Sequence, residues 1–394
     1  MKDQIGRTRV IIFGHHFLNT LGQVRSFGEI GCHISVVWVE NIAHTPKGSN
    51  YIDEFVSVKD FDEGLNYILS NYKEEGRKHF LSTDSDAIVS LFDKRYDDLK
   101  DYFYFFNAGK QGRLSFFMPK QRQCELAKKY SLNVPKTELA RWGELPQNIK
   151  FPIFTKAPDC FGLTWKEESQ ICHNKEELIA FYSKDEQKNS TILLQEFIDK
   201  ENEVAIEGVS LNGGEILFVP IQGEYLRLPQ GAYGTLKRNS PFMLGEKLKS
   251  CIQGMIKEIG YTGVFELEFL RNPNKKLYFL EINFRHTQYN HALTDMGANL
   301  SEIWMRNVSG EDYDLEGIRV KGSSVVINES RDYRYFVKTG QISLFKWLKD
   351  LAKADSYYLF DKKDWFFCLR YYARTLELIL SSLAIRVKNK LIVL

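Results

Sequence analysis

Cysteine is scarce in this 394-residue chain, and its six cysteines form no Cys-x-x-Cys pair. A zinc cluster or a secreted disulfide framework needs grouped or paired cysteines, so the sequence argues against both. The residues before Arg9 are polar and lack the apolar core of a signal peptide. No window holds about 18 uncharged apolar residues, so no segment is expected to span a bilayer. We expect a cytoplasmic protein that is soluble or at most peripheral to a membrane.

Net charge is also nearly absent. The chain has 53 basic and 51 acidic residues, and the sum of +2 argues against a general nucleic-acid binder. The two signs are unevenly distributed, because residues 331–394 carry 13 basic and 6 acidic side chains, a net charge of +7. The preceding 330 residues carry a net charge of −5. An acidic body and a basic C-terminal part are therefore expected, with length enough for two or three domains.

The first hundred residues carry the pattern of a parallel βαβ unit. A strand over residues 9–14 ends in a glycine, a helix-like segment follows, and a second apolar strand covers residues 33–39. Residues 80–84 read as a further strand that ends in polar side chains, where parallel strands present residues to a ligand crevice. The glycines do not follow the G-x-G-x-x-G pattern, so we expect a substrate-facing sheet rather than a nicotinamide-dinucleotide site.

Beyond residue 110 the pattern alternates between helices and strands. Helices are predicted at 120–130 and 245–259, and strands at 151–156, 192–198, 203–209, 216–221, 263–270, 277–284 and 323–327. The fold class is therefore α/β (α+β).

The most informative feature is the predicted hairpin over residues 263–284. Side chains alternate in a strand, so Glu266 and Glu268 share one face of the first strand. A turn centred between residues 274 and 275 would place Glu268 opposite Glu281 and Glu266 opposite Asn283. Like charges that face each other directly are destabilising, so we expect a cation to bind between the three carboxylates and the amide. Oxygen ligands without His or Cys favour Mg²⁺ or Mn²⁺. Periodicity alone favours a solvated polar face, but the neighbouring motifs favour the metal site.

Several residues, taken in order along residues 80–310, resemble the ATP-grasp superfamily and its ATP-dependent carboxylate–amine ligases (D-aspartate ligase-like and carbamoyl-phosphate-synthetase-like). They are Lys120, Lys156, Gln195-Glu196-Phe197-Ile198, Glu203, Glu268, Glu281-Ile282-Asn283 and Arg285. The resemblance implies a Rossmann-like domain over 1–110 that precedes a two-lobed ATP-grasp domain over 111–310. Its lid would cover about 150–210. Residues 311–394 would form an aromatic, basic and largely helical extension.

The resemblance also implies a role for each of these residues toward ATP and Mg²⁺ (or Mn²⁺). Lys120, Lys156 and, in the lid loop, Lys166 would contact phosphates. Backbone atoms of Glu196, Phe197 and Ile198 would meet the adenine edge, and Glu203 would receive the ribose hydroxyls. Glu268, Glu281 and Asn283 would hold the metal. Arg285 would stabilise negative charge on the reacting group.

Two local features concern the phosphate and substrate regions. The lid loop over residues 159–166 has a single glycine, Gly162, where the family's loop is glycine-rich. A second loop region carries Arg227, Lys237 and Arg238 among turn residues, which suits closure over a phosphate or an anionic substrate. A surface loop with solvated charges is the alternative. We prefer Arg227 as the catalytic cation, because it follows an apparent strand into the cleft.

The expected activity is ATP-dependent activation of a carboxylate as an acyl phosphate, followed by attack of an amine to give an amide, ADP and phosphate. The alternatives are carboxylation through carboxyphosphate and an ATP-binding scaffold without turnover. The partners would be a small-molecule carboxylate and amine, with no nucleic acid, and a homo-oligomer stays open.

The C-terminal residues 365–390 read as one long helix in which aromatic and aliphatic residues alternate with cations. This composition fits an interfacial helix at an anionic membrane, and so a peripheral location. It also fits a helix packed on the body or on a partner subunit, which is the interpretation that we favour.

Overall fold

Five parallel strands form the N-terminal sheet of the computed structural model, which describes residues 8–40, 44–156, 169–185, 190–228, 234–311 and 313–373. The sheet order is β3-β2-β1-β4-β5. Its strands are β1 (Arg9–Gly14), β2 (His33–Val39), β3 (Glu54–Val58), β4 (His79–Thr83) and β5 (Phe103–Tyr104). The helices of this region are α1 (Phe17–Gly28), α2 (Phe61–Tyr72), α3 (Asp86–Lys94) and α4 (Tyr96–Leu99).

Both faces of this sheet are covered, which explains why β1 is apolar without alternation. Val10 and Ile12 belong to the large core shared with the rest of the chain, whereas Ile11 and Phe13 belong to a second core on the other face. On the shared side, α1 approaches α9 (Asn290–Asp295) closely at Gly22, where a Cβ atom would come within 2.9 Å of the Asn290 side chain.

A small antiparallel sheet follows, with the order β6-β9-β7-β8 and its own core around Ile153 and Phe181. It contains β6 (Thr137–Arg141), β7 (Ile153–Lys156), β8 (Ile171–Cys172) and β9 (Thr191–Glu196). The helices α5 (Arg113–Phe117) and α6 (Lys120–Lys129) precede the sheet in sequence, and α7 (Lys175–Tyr182) connects β8 to β9. This sheet begins at residue 137 and contains strands of the segment of about 150–210 that is predicted to be the lid.

A seven-stranded sheet forms the largest layer, in the order β14-β13-β10-β11-β12-β15-β16. Its strands are β10 (Asn202–Leu211), β11 (Ile216–Arg227), β12 (Leu236–Pro241), β13 (Gly263–Arg271), β14 (Leu277–Asn283), β15 (Ser324–Ile327) and β16 (Ser356–Tyr357). The helices α8 (Glu246–Ile259) and α10 (Leu300–Val308) complete this part of the chain. Four buried residues of α8 are apolar and spaced so that one face of the helix packs on the core.

The predicted register of the carboxylate hairpin is confirmed at the positions that matter. Glu268 pairs with Glu281 and Glu266 pairs with Asn283. The turn lies half a residue from the expected centre, because Arg271 pairs with Leu277. A register shift between Glu268 and Phe269 restores the predicted pairing beyond it. A β-bulge after Glu268 therefore accounts for the difference between the observed turn and the predicted centre.

The C-terminal part differs from the expected separate extension. β15 and β16 extend the seven-stranded sheet, and Arg25 of α1 donates a 2.8 Å hydrogen bond to the Leu359 carbonyl. The helical segments here are α11 (Glu329–Asp332), a π-helical turn (Tyr333–Val337), α12 (Leu344–Lys353) and the helical residues 365–373. The rest of the predicted tail helix lies outside the described residues. Among the helices that the structure describes, none is long and apolar enough to cross a bilayer.

Candidate active site

The carboxylate face of β13 and β14 forms the centre of the site. Strand alternation brings Glu266, Glu268, Glu281 and Asn283 to one side of the two paired strands. The Asn283 amide donates to Glu266 Oε2 at 3.2 Å and to Glu268 Oε1 at 3.3 Å. One neutral donor is thus shared by two carboxylates, and the predicted group is assembled as expected.

Burial and mutual repulsion make this face unfavourable for negative charge. Burial, and then the nearby Glu207, raise the pKa of Glu266 to about 7. Burial, followed by Glu281 and Glu266, raises the pKa of Glu268 well above its ordinary value. A divalent cation would relieve this repulsion, and a donor set of carboxylate and amide oxygens fits Mg²⁺. The residues present therefore fit the metal that the sequence predicts.

Two lysines lie near these carboxylates. Lys120 Nζ lies 3.0 Å from Glu281 Oε2. Burial alone would raise the pKa of Glu281, but Lys120 and Lys156 outweigh it and lower that pKa. Burial, and then the charge of Lys120, lower the pKa of Lys156. The charges of both lysines that are predicted to bind phosphate thus act on the carboxylate face.

A glutamine that the sequence reasoning missed positions Lys120. The side chain of Gln123 donates to the Ile282 carbonyl at 3.2 Å and accepts from the Ile282 N–H at 2.9 Å. Because β14 is an edge strand, this pair of bonds takes the place of a neighbouring strand and ties α6 to the hairpin. Lys120 lies three residues before Gln123, one helical turn away. The sequence signal that could have identified Gln123 is its position as a polar residue on the buried face of α6.

Arg285 links the hairpin to the carboxyl end of the parallel sheet. Its Nη2 atom lies 2.9 Å from Asp86 Oδ2 and 3.2 Å from Asn283 Oδ1. Burial acts to lower the pKa of Arg285, but Asp86 outweighs it, and the net pKa is raised. Nearby Asp84 is fully buried and accepts the backbone N–H of His15 at 3.1 Å. The crevice predicted at the ends of the parallel strands thus meets the metal face through Arg285.

Of the residues predicted to contact the nucleotide, Glu203 lies near the carboxylate face. Glu203 and Glu268 line one small cavity together with Tyr225 and Phe269. A carboxylate oxygen of Glu203 lies 2.7 Å from Lys200 Nζ.

In the predicted adenine hinge, Glu196 ends β9 and the N–H of Phe197 donates to the Pro152 carbonyl at 3.2 Å. Among the described residues, no backbone carbonyl accepts a hydrogen bond from the N–H of Ile198. Lys166 and Gly162 of the lid loop lie outside the residues that the structure describes.

The structure gives Arg227 a different setting from the predicted one. Its guanidinium lies 2.6 Å from Asp332 Oδ2 and also pairs with Asp350 Oδ2 at 2.5 Å. Two carboxylates of the C-terminal part therefore hold this cation, and none of its described contacts reaches the hairpin. The catalytic role of Arg227 stays a prediction that these contacts do not favour.

Lys237, on β12, is a cation that lies near the carboxylate face. Its side chain is 1 % exposed, and its Nζ lies 2.8 Å from Glu207 Oε1 and 3.7 Å from the centre of the Tyr289 ring. Glu207 lies opposite Glu266 across β10 and β13. A buried lysine paired in this way neutralises charge beside the metal face. Alternation along β12 was the signal that could have identified it.

Comparisons with known proteins cover the part of the chain that carries this site. The family model for the carbamoyl-phosphate synthase L chain, ATP binding domain, matches residues 122–314. This range contains the whole hairpin and Arg285. The 2-oxoglutarate carboxylase small subunit of Hydrogenobacter thermophilus is 26 % identical in an alignment of 196 residues, which covers 46 % of this chain. The chain thus spans 40 % of that subunit's length.

Solved structures show the same fold at low identity. N5-carboxyaminoimidazole synthetase from Staphylococcus aureus superposes with a TM-score of 0.64 and 15 % identity, covering 85 % of this chain and 86 % of that one. L-amino acid ligase from Bacillus licheniformis superposes with a TM-score of 0.60 and 14 % identity, covering 81 % and 79 % of the two chains. Over residues 122–314 the chain is therefore similar to the carbamoyl-phosphate synthase L chain ATP-binding family, and the predicted resemblance to the ATP-grasp superfamily is confirmed.

Proposed function

We propose that this protein is an Mg²⁺- and ATP-dependent ligase that activates a small-molecule carboxylate as an acyl phosphate and joins it to an amine. The observation that carries the proposal is the buried face on which Glu266, Glu268, Glu281 and Asn283 meet Lys120. Carboxylates crowded beside phosphate-binding cations are the arrangement that phosphoryl transfer requires.

Glu268, Glu281 and Asn283 would hold Mg²⁺, and the bound metal would neutralise charge on the phosphates of ATP. Lys120 and Lys156 act as fixed cations for the same phosphates. Because Lys120 lies 3.0 Å from Glu281, its ammonium group exchanges part of this contact for phosphate when the nucleotide binds. Glu203 receives the ribose, and the backbone of 196–198 meets the adenine.

The second substrate would bind where the carboxyl ends of β1 and β4 face the hairpin. Arg285 is held there by Asp86, so its guanidinium is oriented before substrate arrives. In the proposed reaction a substrate carboxylate oxygen attacks the terminal phosphorus of ATP and ADP leaves. The amine then attacks the acyl carbon, loses a proton and expels phosphate. Arg285 stabilises the negative charge of the acyl phosphate and of the tetrahedral adduct.

The curated relative favours a second candidate, carboxylation through carboxyphosphate. The matched protein is named as a carboxylase subunit, and its identity of 26 % exceeds that of the ligase structure described above. In that reaction bicarbonate takes the place of the organic acid at Arg285. The two candidates share the nucleotide half of the site and differ in the acceptor.

The test is a screen of acid and amine pairs for phosphate release from Mg²⁺-ATP, with hydroxylamine as a general amine. An acyl phosphate reacts with hydroxylamine to give a hydroxamate, so an acid-dependent hydroxamate would support the ligase. ADP release that depends on bicarbonate and needs no amine would favour the carboxylase. Nucleotide binding without turnover on either panel would contradict both and point to a scaffold.

A further inference from the structure

Exposed apolar side chains are concentrated in the C-terminal part of the chain. Among the described residues, 17 large hydrophobic side chains are exposed, and nine of them lie between residues 333 and 372. They are Tyr333, Leu344, Phe345, Leu348, Phe360, Trp365, Phe366, Leu369 and Tyr372. Single exposed hydrophobic residues are ordinary, but a group of this size marks an interaction surface.

The first element of this surface is α12, which buries none of its residues. The helix contacts the body through Asp350, whose carboxylate pairs with Arg227, and through Trp347, whose ring meets Tyr333. On the opposite side, Phe345 is 79 % exposed and Leu348 is 51 % exposed. A helix that packs on a body normally turns its apolar stripe inward, whereas this one keeps it outward.

The second element is the helical segment 365–373, which is apolar on both sides. Phe367 and Cys368 are buried on its inner side, and the Phe367 ring packs near Phe17 of α1. Its outer side carries Trp365 and Leu369, which are 57 % and 56 % exposed. A helix that is hydrophobic all round needs cover on both sides, and the described part of the chain covers one.

Phe360 lies between the two helices in sequence and is a further exposed apolar residue. Its ring is half exposed and stands 5.6 Å from the ring of Tyr357, whose hydroxyl donates to the Leu351 carbonyl of α12. We call the outer side of α12, Phe360 and the outer side of 365–373 the basic–apolar surface.

Its charge is one-sided, because four of the five acids between residues 331 and 373 are largely buried and only Asp355 is exposed. Asp332 and Asp364 are fully buried, and Asp350 and Asp361 are at most 19 % exposed. Eight cations of this part of the chain are exposed, of which Lys346 also pairs with Asp350 and Lys363 with Glu29. They are Arg334, Lys338, Lys346, Lys349, Lys353, Lys362, Lys363 and Arg370.

We propose that the basic–apolar surface binds an anionic lipid surface. Exposed aromatic and leucine side chains would enter the interface, and the surrounding lysines and arginines would meet the negative headgroups. A second copy of the chain fits less well, since a symmetric contact would oppose two basic surfaces. Residues 374–394 fit less well for the same reason, because they carry four cations and one acid. The proposal is independent of the reaction that the active site performs.

Vesicle co-sedimentation of the full-length protein tests the proposal. We expect binding to mixed phosphatidylcholine–phosphatidylglycerol vesicles at about 0.1 M salt, and much weaker binding at about 1 M salt or to pure phosphatidylcholine. Phe345→Glu and Leu369→Glu should each weaken binding by about tenfold or more, since each removes apolar area and adds repulsion. Met243→Glu is the matched control, because Met243 is 78 % exposed outside this surface. It should bind as the wild type does.

Each variant changes an exposed side chain, and thermal unfolding checks that the fold is kept. Lys349→Glu with Lys353→Glu gives a second test that leaves the apolar residues in place, and it should also weaken binding. The proposal is overturned if binding is absent, is equal for neutral and anionic vesicles, or is unchanged in the Phe345 and Leu369 variants. A Phe345-dependent dimer in light scattering, without vesicle binding, would assign the surface to a second copy instead.

Discussion

His286 should make the protein lose stability as the pH falls. The side chain is 2 % exposed, lies next to Arg285, and contacts the rings of Phe27 and Phe106. Burial lowers its pKa from the ordinary 6.5 to about 3. The native state therefore keeps this ring neutral, whereas the unfolded chain takes up a proton below pH 6.5. A depressed histidine pKa stabilises the fold above 6.5, and this contribution is lost as the pH falls toward 3.

The size of the effect follows from the two pKa values. At about pH 7.5 neither state holds the proton, and at about pH 5 the unfolded chain holds nearly all of it, which costs about 2 kcal/mol of stability. In His286→Phe the buried ring cannot be protonated, although its contact with the Ser301 hydroxyl is lost at every pH. The decrease in the free energy of unfolding between these two pH values should therefore be about 2 kcal/mol smaller in the variant.

Urea unfolding at both pH values, followed by tryptophan fluorescence, measures this difference of differences. Because each protein is compared with itself, any change in stability that the substitution causes at neutral pH cancels. His173→Gln, at an exposed position, controls for the loss of a histidine as such. An equal pH dependence in the wild type and His286→Phe would refute the reasoning.

Three further predictions concern the cations. Lys120→Met should weaken binding of a non-hydrolysable ATP analogue by about tenfold or more in calorimetric titration, because a charge-assisted phosphate contact is lost. Lys237→Met should weaken the same binding, since Glu207 would become unneutralised beside the metal face, while Arg238→Met on the exposed side of β12 should not; equal effects would contradict the assignment. Arg25→Met should lower the free energy of unfolding by about 3–5 kcal/mol because it leaves buried carboxylates unpaired. Adding Asp364→Asn should recover part of that loss in chemical denaturation.

The sequence pattern predicted the pairing of the carboxylates in the hairpin, although the turn was predicted half a residue away from its observed position. The alternation of Glu266, Glu268 and Glu281 with apolar residues specifies which side chains share a face, whatever the turn. The expected turn centre was half a residue away, and the bulge after Glu268 offsets this difference. Strand alternation therefore determined which side chains share the carboxylate face. A shift of one residue in the strand register would have turned the carboxylates toward the core.

The setting of Arg227 could not be predicted, because its partners are remote in sequence. Asp332 and Asp350 follow it by more than 100 residues and reach it only because the C-terminal part joins the large sheet. The burial of Arg25 against Asp364 could not be predicted either, because these two residues are 339 positions apart. A net charge of +7 over residues 331–394 predicted a basic extension, but it did not reveal that several of its acids point into the body.

The central claim is that the carboxylate hairpin binds Mg²⁺ together with ATP. The most direct test is calorimetric titration of a non-hydrolysable ATP analogue with and without Mg²⁺, in the wild type and in Glu281→Gln. Glu215→Gln is the control, because Glu215 is an exposed carboxylate outside the site. We predict that Mg²⁺ tightens binding by about tenfold or more in the wild type and the control, and that Glu281→Gln abolishes this gain. Binding that is indifferent to Mg²⁺, or a full magnesium effect in Glu281→Gln, would contradict the account.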